Sequence, residues 1–412
     1  MSSILEKESS DFRPEEITNW HNLTEKYPEI PEKYHPMADA YIQAEEISRG
    51  VESELESNPD RLDLRDLPTV TIDPDYAHDH DDAVSMVGDT AYAHIADVAH
   101  YVEEGSPIDE AARDRGVTFY LGDNTRHMLP RRLAQDICSL SPGADRLAHT
   151  VEMELNDNGE VEDYDIYKSV IESDAHLTYP HSDSIIESSE EILDRFETAE
   201  KNVMDEEAQT FEQITQSLDN LESATKDRRE NNWDSCLYLN KQPTSGRIIQ
   251  EMMILANQTV GEHLRDEGIG AYRVEEAPER GWTDEVASEL AELGYEPPAE
   301  LHENPAGSLN DFVRETVEEG DESQVRTAIV TKLPPAKYEA RGLTPAGHFG
   351  LGTTDYAHFT SPIRRAVDLV NHRIVAETFD GDRGDVSELA EHVTGQQDAA
   401  DDAAMAWYDA NT

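Results

Sequence analysis

The chain has 412 residues, and its 33 basic and 90 acidic side chains give it a formal net charge of −57 at pH 7. This charge excludes an ordinary basic nucleic-acid-binding protein, whose positive surface would dominate the composition. Hydrophobic residues make up 37% of the chain, which is enough to bury a core and therefore excludes wholesale disorder.

The acidic residues are spread along the whole chain, which is typical of a salt-adapted surface. Molar salt shortens the screening length to about 3 Å and so removes most self-repulsion. Cys138 and Cys236 are too few for a disulfide framework, and we expect both to be inert packing thiols. The sequence shows neither a signal peptide nor an apolar run long enough for a membrane span. We therefore expect a cytoplasmic protein of a halophilic cell, with no membrane partner.

The first predicted elements are helical. Prolines interrupt short helical patterns throughout residues 1–60, which predicts a small helical N-terminal appendage. The pattern changes after Pro68, because residues 69–72 are β-rich and residues 91–98 are a second strand candidate. These strands predict the start of a large α/β (α+β) core over residues 61–380, in which mixed sheets are surrounded by helices.

Turn and cap signals locate the next elements. Residues 107–116 begin with Pro and end with Gly, which predicts a short helix. The segment from Asn156 to Gly159 predicts a tight turn that joins strands at 150–155 and 161–171 into a hairpin.

The second half of the chain is predicted to be rich in helices. The acidic segment 183–230 predicts an exposed helical layer. By contrast, the wide apolar face of residues 247–266 predicts a buried helix. Residues 388–408 are rich in Ala and acids and predict a last helix, within an acidic C-terminal segment at 381–412.

The densest polar feature follows the strand at 69–72. Five carboxylates occupy ten residues in the segment DPDYAHDHDD, numbered 73–82. Neighbouring carboxylates repel one another unless a cation or solvent compensates, and hard oxygen ligands suit Mg²⁺ or Mn²⁺. A solvated acidic turn is the alternative. An EF-hand fits poorly, because its loop needs Gly and Glu where this segment has His78 and Val84. We expect His78 and His80 to lie on the surface or outside a ligand set.

Four segments together carry a family resemblance. They are TIDPDYAHDHDDAVSM, HIADVAHYVEEGSPIDEAARDRGVTFYLGDNTRHMLPRRLAQDICSLSPGADR, EMMILAN and GHFGLGTTDYAHFTSPIRRAVDLVNHR. In order and spacing they resemble the RNB catalytic domain of the RNase II and RNase R family of exoribonucleases, over about residues 61–377. The resemblance implies processive 3′-to-5′ hydrolysis of single-stranded RNA to nucleoside 5′-monophosphates, with Mg²⁺ or with Mn²⁺ in its place.

The resemblance also assigns the metal ligands. The family's four metal-binding aspartates fall on Asp73, Asp79, Asp81 and Asp82, and we count Asp82 among the catalytic residues as well. They imply a two-metal mechanism, in which the ions activate a water and stabilise the attacking and leaving oxygens. Asp75 matches no ligand of the family, so we expect it outside the ligand set.

Two matches concern the surroundings of the scissile bond. Tyr120 matches the family tyrosine that stacks on a base, although a core aromatic is the alternative. Glu251 resembles a family glutamate near the site and is assigned as catalytic, with an exposed helical glutamate as the alternative. We expect Asn257, on the same helix, to be structural.

Basic residues complete the predicted site. Arg364 matches the family arginine that contacts the phosphate, where a guanidinium can bind two oxygens and stabilise transition-state charge. We assign Arg364, Arg365, His358, Arg131 and Tyr120 to RNA contacts. Residues 113–146 and 331–373 are locally basic, which predicts a channel for RNA in an otherwise acidic protein.

Family members commonly carry cold-shock and S1 domains, and the segments before residue 61 and after residue 380 are too short for them. We therefore expect capture of single-stranded RNA by the core or with a partner protein. Two other functions stay open. One is a catalytically weak RNA-binding or regulatory relative, and the other is a different metal-dependent phosphodiesterase, which would not explain the segment from Ser361 to Arg365.

Overall fold

The structure is a computed structural model, and it describes residues 38–121, 124–198, 206–239, 242–318, 320–341 and 347–411. Most of the predicted N-terminal appendage lies outside the described residues. The described helices are Ala38–Glu46 (α1), Val51–Ser57 (α2), Val98–Tyr101 (α3), Pro107–Arg115 (α4), Tyr179–Glu187 (α5), Ser189–Thr198 (α6), Glu206–Asn231 (α7), Thr244–Glu267 (α8), Trp282–Glu292 (α9), Pro305–Glu315 (α10), Glu322–Val330 (α11), Ala366–Val375 (α12) and Arg383–Asn411 (α13). A short π-helix spans Leu133–Ile137 and a 3₁₀ turn spans Phe349–Leu351.

The described strands form three sheets. They are Leu62–Asp63 (β1), Val70–Ile72 (β2), Asp82–Val87 (β3), Thr90–Ala96 (β4), Phe119–Leu121 (β5), Asn124–Arg126 (β6), Asp145–Leu155 (β7), Val161–Glu172 (β8), Ala175–Leu177 (β9), Gly270–Val274 (β10) and Lys337–Arg341 (β11). The main sheet has seven strands in the order β1-β8-β7-β4-β3-β2-β9, while β5 pairs with β6 and β10 with β11. The main sheet is mixed, because β1 pairs with β8 and β2 with β9 in parallel. The predicted α/β (α+β) class with mixed sheets surrounded by helices is confirmed.

Local chemistry explains the elements that the sequence predicted best. Helix α4 begins after Ser106, whose hydroxyl accepts a hydrogen bond from the N–H of Asp109, and it ends at Gly116 with a φ of 74°. Strands β7 and β8 form the predicted hairpin. In its turn, Asn156 Oδ1 accepts hydrogen bonds from the N–H groups of Asn158 and Glu160. Both predictions are therefore confirmed.

Helices α7 and α8 pack against the main sheet. The predicted burial of α8 is confirmed, since Met252 and Val260 are fully buried. The predicted exposed layer at 183–230 is wrong for α7, where Leu218 and Leu221 are fully buried and the Ser217 hydroxyl accepts a hydrogen bond from the N–H of Met86 on β3. The acidic residues of α7 lie on one side of the helix. The prediction from the overall charge of the segment therefore missed the apolar face on the other side.

A second, smaller core lies among α9, α10 and α11, where Leu290, Leu309 and Val325 are fully buried together. Cys138 and Cys236 are buried and unpaired, and burial raises the pKa of both thiols, as inert packing thiols require. Among the described helices, none combines the length and apolar character that crossing a bilayer requires.

Candidate active site

The acidic segment is a loop that joins β2 to β3 and is fixed at both ends by the sheet. Asp73 follows β2, and its N–H donates to the carbonyl of Leu177 on β9. Asp82 is the first residue of β3. The middle of the loop is held by Ser139, whose hydroxyl accepts from the N–H of His80 and donates to the carbonyl of His78. No pattern in the sequence singles out this serine.

Asp81 joins the acidic loop to the turn that carries the predicted phosphate-binding arginine. Its side chain is 5% exposed. Oδ1 accepts a hydrogen bond of 2.8 Å from the N–H of Ile363, and Oδ2 lies 3.5 Å from Nε of Arg364. The structure therefore brings together two of the segments that the resemblance connected.

Burial disfavours the ionised form of the last two carboxylates of the loop. Burial raises the pKa of Asp81 well above its usual value, against the opposing effects of Arg364 and the N–H of Ile363. Burial, followed by the charge of Asp73, raises the pKa of Asp82 to about 7. Hard divalent cations bind such oxygen donors and offset their charge, so the residues present fit a Mg²⁺ or Mn²⁺ site.

Tyr120 lies at the edge of the same cluster. Its neighbours Phe119 and Leu121 on β5 are buried, whereas the Tyr120 side chain points outward and the residue is 45% exposed. Its hydroxyl donates to Oδ2 of Asp79 over 3.4 Å. The alternative of a core aromatic is therefore wrong, and an exposed ring stands beside one of the predicted metal ligands.

The turn from His358 to Arg365 is held from behind by buried polar side chains. Asn257 accepts a hydrogen bond from the N–H of Phe359 and donates to the hydroxyl of Thr360, so it has the structural position expected of it. Asp368 accepts from the N–H of Ser361 and from Nη2 of Arg365. These contacts fix the backbone from which Arg364 projects.

Three of the predicted RNA-contacting residues are engaged with protein groups. The Arg365 side chain is 11% exposed and pairs with Asp368. His358 is half-buried, and its Nδ1 lies 2.8 Å from the hydroxyl of Tyr338. Arg131 donates through Nε to Gln135 Oε1 over 2.6 Å.

Glu251 belongs to a different cluster from the aspartates. It is 1% exposed on α8, and its carboxylate lies 3.4 Å from Nε of Arg228 and 3.8 Å from Nη1 of Arg229. Burial raises its pKa, and the two arginines oppose this effect. The alternative of an exposed helical glutamate is wrong, and the arginines that pair with Glu251 lie on α7 rather than in the acidic loop.

The structure adds one histidine that the sequence did not single out. Three side chains each place one ligand atom within 4.8 Å of the other two, and this group could hold a metal ion. They belong to Asp73, His80 and His176. His80 is 4% exposed and its Nδ1 lies 2.8 Å from Oδ2 of Asp73, so of its two expected positions only the one on the surface is wrong. His78 is exposed. His176 comes from β9, and only the pairing of β9 with β2 brings it here.

The sheet, the acidic loop and the arginine-bearing turn define one class of protein. The RNB domain family matches residues 61–381, which is well over half of the chain, so the chain belongs to this family and the predicted resemblance is confirmed. Ribonuclease R of Aquifex aeolicus is 33% identical over 411 residues, covering 94% of this chain and 56% of the relative. The chain thus spans about half the length of the curated relatives that it matches.

Two solved structures show the same fold. RNase R of Mycoplasma genitalium, in complex with ribose methylated single-stranded RNA, has a TM-score of 0.75 at 22% identity, over 94% of this chain and 63% of that chain. Yeast Ssd1, a pseudonuclease, has a TM-score of 0.65 at 18% identity, over 85% of this chain and 45% of that chain. Because one fold serves a nuclease and a pseudonuclease, the activity of this chain must be argued from its site.

Proposed function

We propose that this chain is a 3′-to-5′ exoribonuclease, which degrades single-stranded RNA processively to nucleoside 5′-monophosphates with Mg²⁺ or Mn²⁺. The observation that carries the proposal is the contact of Asp81 with Ile363 and Arg364, which unites an acidic loop with a phosphate-binding side chain. The relatives named Ribonuclease R support the same activity.

Asp73, Asp79, Asp81 and Asp82 would hold the cations. The donor set is entirely carboxylate, and burial, followed by the charge of Asp73, raises the pKa of Asp82 to about 7, so a divalent cation would stabilise its ionised form. When bound, the cations would supply an activated water and stabilise the charge on the attacking and leaving oxygens.

The chain's own side chains would position the RNA. The side chain of Arg364 is 42% exposed although Nε lies near Asp81 and Nη2 donates to the hydroxyl of Ser361. These contacts orient the guanidinium, and its remaining N–H groups are available to a phosphate oxygen. The exposed ring of Tyr120 would stack on a base beside Asp79, and stacking accepts any base.

The other predicted residues divide by their contacts. Arg131 and His358 stay proposed RNA contacts, because each keeps an accessible part of its side chain. We propose that Arg365 acts by holding Asp368 and therefore the turn that carries Arg364. Glu251 is proposed to act through its ion pairs with Arg228 and Arg229, which join α7 to α8.

The test is a time course with 5′-labelled single-stranded RNA in molar KCl, because the charge of −57 calls for screening. With Mg²⁺ or Mn²⁺ we expect the full-length RNA to be replaced by a short 5′-labelled end product with few intermediates, as processive removal from the 3′ end requires, and we expect no reaction in a chelator. A circular RNA of the same sequence has no 3′ end and should stay intact. Early internal cuts, or undiminished cleavage in the chelator, would refute the proposal.

The same assay separates the two other functions. Binding of RNA without hydrolysis under every cation would identify an RNA-binding relative of the pseudonuclease kind. Equal hydrolysis of a single-stranded DNA of matched sequence would indicate a general phosphodiesterase.

A further inference from the structure

The group formed by Asp73, His80 and His176 differs in chemistry from the carboxylate cluster. Nδ1 of His80 lies 2.8 Å from Oδ2 of Asp73, and the two imidazole rings are 4.6 Å apart between their centres. One ligand atom from each of the three residues lies within 4.8 Å of the others. Ligands that bind one ion at about 2.0–2.2 Å lie within about 4 Å of one another, so small side-chain rotations would close the group around an ion.

His176 is held in place by the sheet. Thr71 and His176 are register partners on the parallel strands β2 and β9, and the Thr71 hydroxyl lies 3.1 Å from Nδ1 of His176. Nε2 of the same ring is buried and has no hydrogen-bond partner among the described residues. In the tautomer whose Nδ1–H donates to the Thr71 hydroxyl, Nε2 carries a lone pair. A buried nitrogen without a partner is unfavourable, and a metal ion is one of the few groups that would satisfy this lone pair.

The ligand types indicate which ions would bind. Two imidazoles and one carboxylate suit Zn²⁺, Co²⁺ and Mn²⁺, whereas Mg²⁺ prefers oxygen ligands and retains its waters. We propose that Asp73, His80 and His176 form a binding site for a divalent transition-metal ion beside the carboxylate site. The two sites share Asp73, so that one carboxylate can bridge two ions. This inference concerns binding alone and does not depend on the nuclease proposal.

The contacts that hold Asp73, His80 and His176 in place argue that the three residues are not close together by chance. A hydrogen bond between His80 and Asp73 alone would explain those two side chains, but it would leave Nε2 of His176 buried without a partner. The backbone N–H of Asp73 donates to the carbonyl of Leu177, next to His176 on β9. All three residues are therefore attached to the paired strands β2 and β9 or to the loop that follows them.

The decisive measurement is electron spin-echo spectroscopy of Mn²⁺ added to the metal-free chain in molar KCl, with excess Mg²⁺ present to fill the carboxylate site. A bound imidazole gives a nitrogen coupling that carboxylate and water ligands do not give. We expect this coupling in the unaltered protein. Its absence at every Mn²⁺ concentration up to saturation would overturn the proposal, and this result requires no variant to fold.

Variants then assign the ligands. Co²⁺ titrations followed by visible absorption should show at least about tenfold weaker binding in His176→Gln, since loss of a ligand costs at least as much as loss of a supporting contact. The matched control is His78→Gln, because His78 lies in the same loop but is exposed. Equal Co²⁺ affinity of His176→Gln and the unaltered protein would overturn the assignment. Absence of RNA hydrolysis by the unaltered protein, together with Co²⁺ binding that His176→Gln weakens, would refute the nuclease proposal alone.

Discussion

The N–H of Ile363 donates to Oδ1 of Asp81 over 2.8 Å, between residues 282 positions apart in the chain. The second oxygen of the same carboxylate faces Nε of Arg364 at 3.5 Å. One buried side chain therefore fixes the arginine-bearing turn and is also a proposed metal ligand. These two roles respond differently to substitution, which makes Asp81 the most informative position in the site.

Asp81→Asn should lower turnover of single-stranded RNA at least about a hundredfold while RNA binding is retained, because the variant loses an anionic ligand but keeps Oδ1 as an acceptor for Ile363. In a chelator the variant should also unfold at a higher temperature than the unaltered protein. Burial raises the pKa of Asp81, so its ionised form opposes folding at neutral pH, and a neutral side chain removes this penalty.

Asp75→Asn is the matched control for this experiment, because Asp75 lies in the same loop and is exposed. It changes the net charge by the same amount and should leave turnover and thermal unfolding close to those of the unaltered protein. Similar losses of turnover in both variants would point to a general charge effect and would contradict the ligand role of Asp81.

Arg364→Ala should reduce single-turnover hydrolysis by about 10²–10³-fold, as expected when one preorganised donor to the transition state is removed. Arg364→Lys should recover only part of this loss, because an ammonium group cannot reproduce the oriented guanidinium that Asp81 and Ser361 hold. The measurement is the single-turnover rate at saturating enzyme. Full recovery by lysine would show that only the charge matters.

Local sequence signals accounted for elements whose chemistry is local. The cap at Ser106 and the turn at Asn156 depend on neighbours within a few residues, so helix α4 and the β7–β8 hairpin were predictable. The acidic loop was equally predictable, since its five carboxylates lie within ten consecutive residues. Assigning it to a site with Arg364 required the family resemblance, because no local signal connects residues so far apart.

The features that were not predicted depend on the order of the strands in the sheet and on which face of a helix is buried. The parallel pairing of β2 with β9 places Thr71 opposite His176, and no pattern in either segment predicts that pairing. Likewise, the acidic composition of α7 concealed Leu218 and Leu221, which face the sheet. The ion pairs of Glu251 with α7 follow from the same packing, so its position in a separate cluster was not predictable.

Tyr120→Ala should weaken RNA binding by about 1–3 kcal/mol through loss of one stacked base, whereas Tyr120→Phe should bind nearly as the unaltered protein does. The phenylalanine keeps the ring and loses only the long hydrogen bond of 3.4 Å to Asp79. The measurement is equilibrium binding in a chelator, so that hydrolysis does not interfere. Equal weakening by both substitutions would show that the hydroxyl, not the ring, binds RNA.

The dependence of RNA affinity on salt concentration should distinguish a stacking contact from a charged contact with phosphate. The affinity of single strands falls by about 0.7 log units per phosphate contact for each log unit of salt, whereas stacking is much less sensitive. At the higher of two salt concentrations that both preserve the fold, Tyr120→Ala should therefore cost relatively more affinity than Arg131→Ala. A larger loss for Arg131→Ala at high salt would contradict this division of roles.

Glu251→Ala should destabilise the fold by about 3–5 kcal/mol, because it removes the buried acceptor of the Arg228 and Arg229 guanidinium groups and leaves a cavity. Urea unfolding in molar KCl measures this change, with Glu267→Ala at the exposed end of the same helix as control. Turnover per folded molecule should stay within about tenfold of the unaltered protein if Glu251 acts through packing. A loss as large as that of Asp81→Asn would instead place Glu251 in the chemistry.

Three histidines in the core should make the fold sensitive to mild acid. Burial lowers the pKa of His94 and His372 to about 3 and that of His149 to about 4. The unfolded chain binds a proton at each near pH 6.5, whereas the folded chain does not. Stability is therefore lost as pH falls below about 6.5, towards 4 for His149 and towards 3 for His94 and His372. At pH 5 the loss should be about 2 kcal/mol for each histidine.

His94 offers the cleanest test, because it lies between the hydroxyls of Ser85 and Thr150 and faces no ionised group. His94→Gln keeps an amide able to bond to both hydroxyls. Its stability should therefore fall less between pH 7 and pH 5 than that of the unaltered protein, by about 2 kcal/mol. Asp81 and Asp82 titrate with the opposite sign, but they are common to both proteins and cancel in the difference. Parallel pH profiles of the two proteins in urea unfolding would show that His94 is not the source of acid sensitivity.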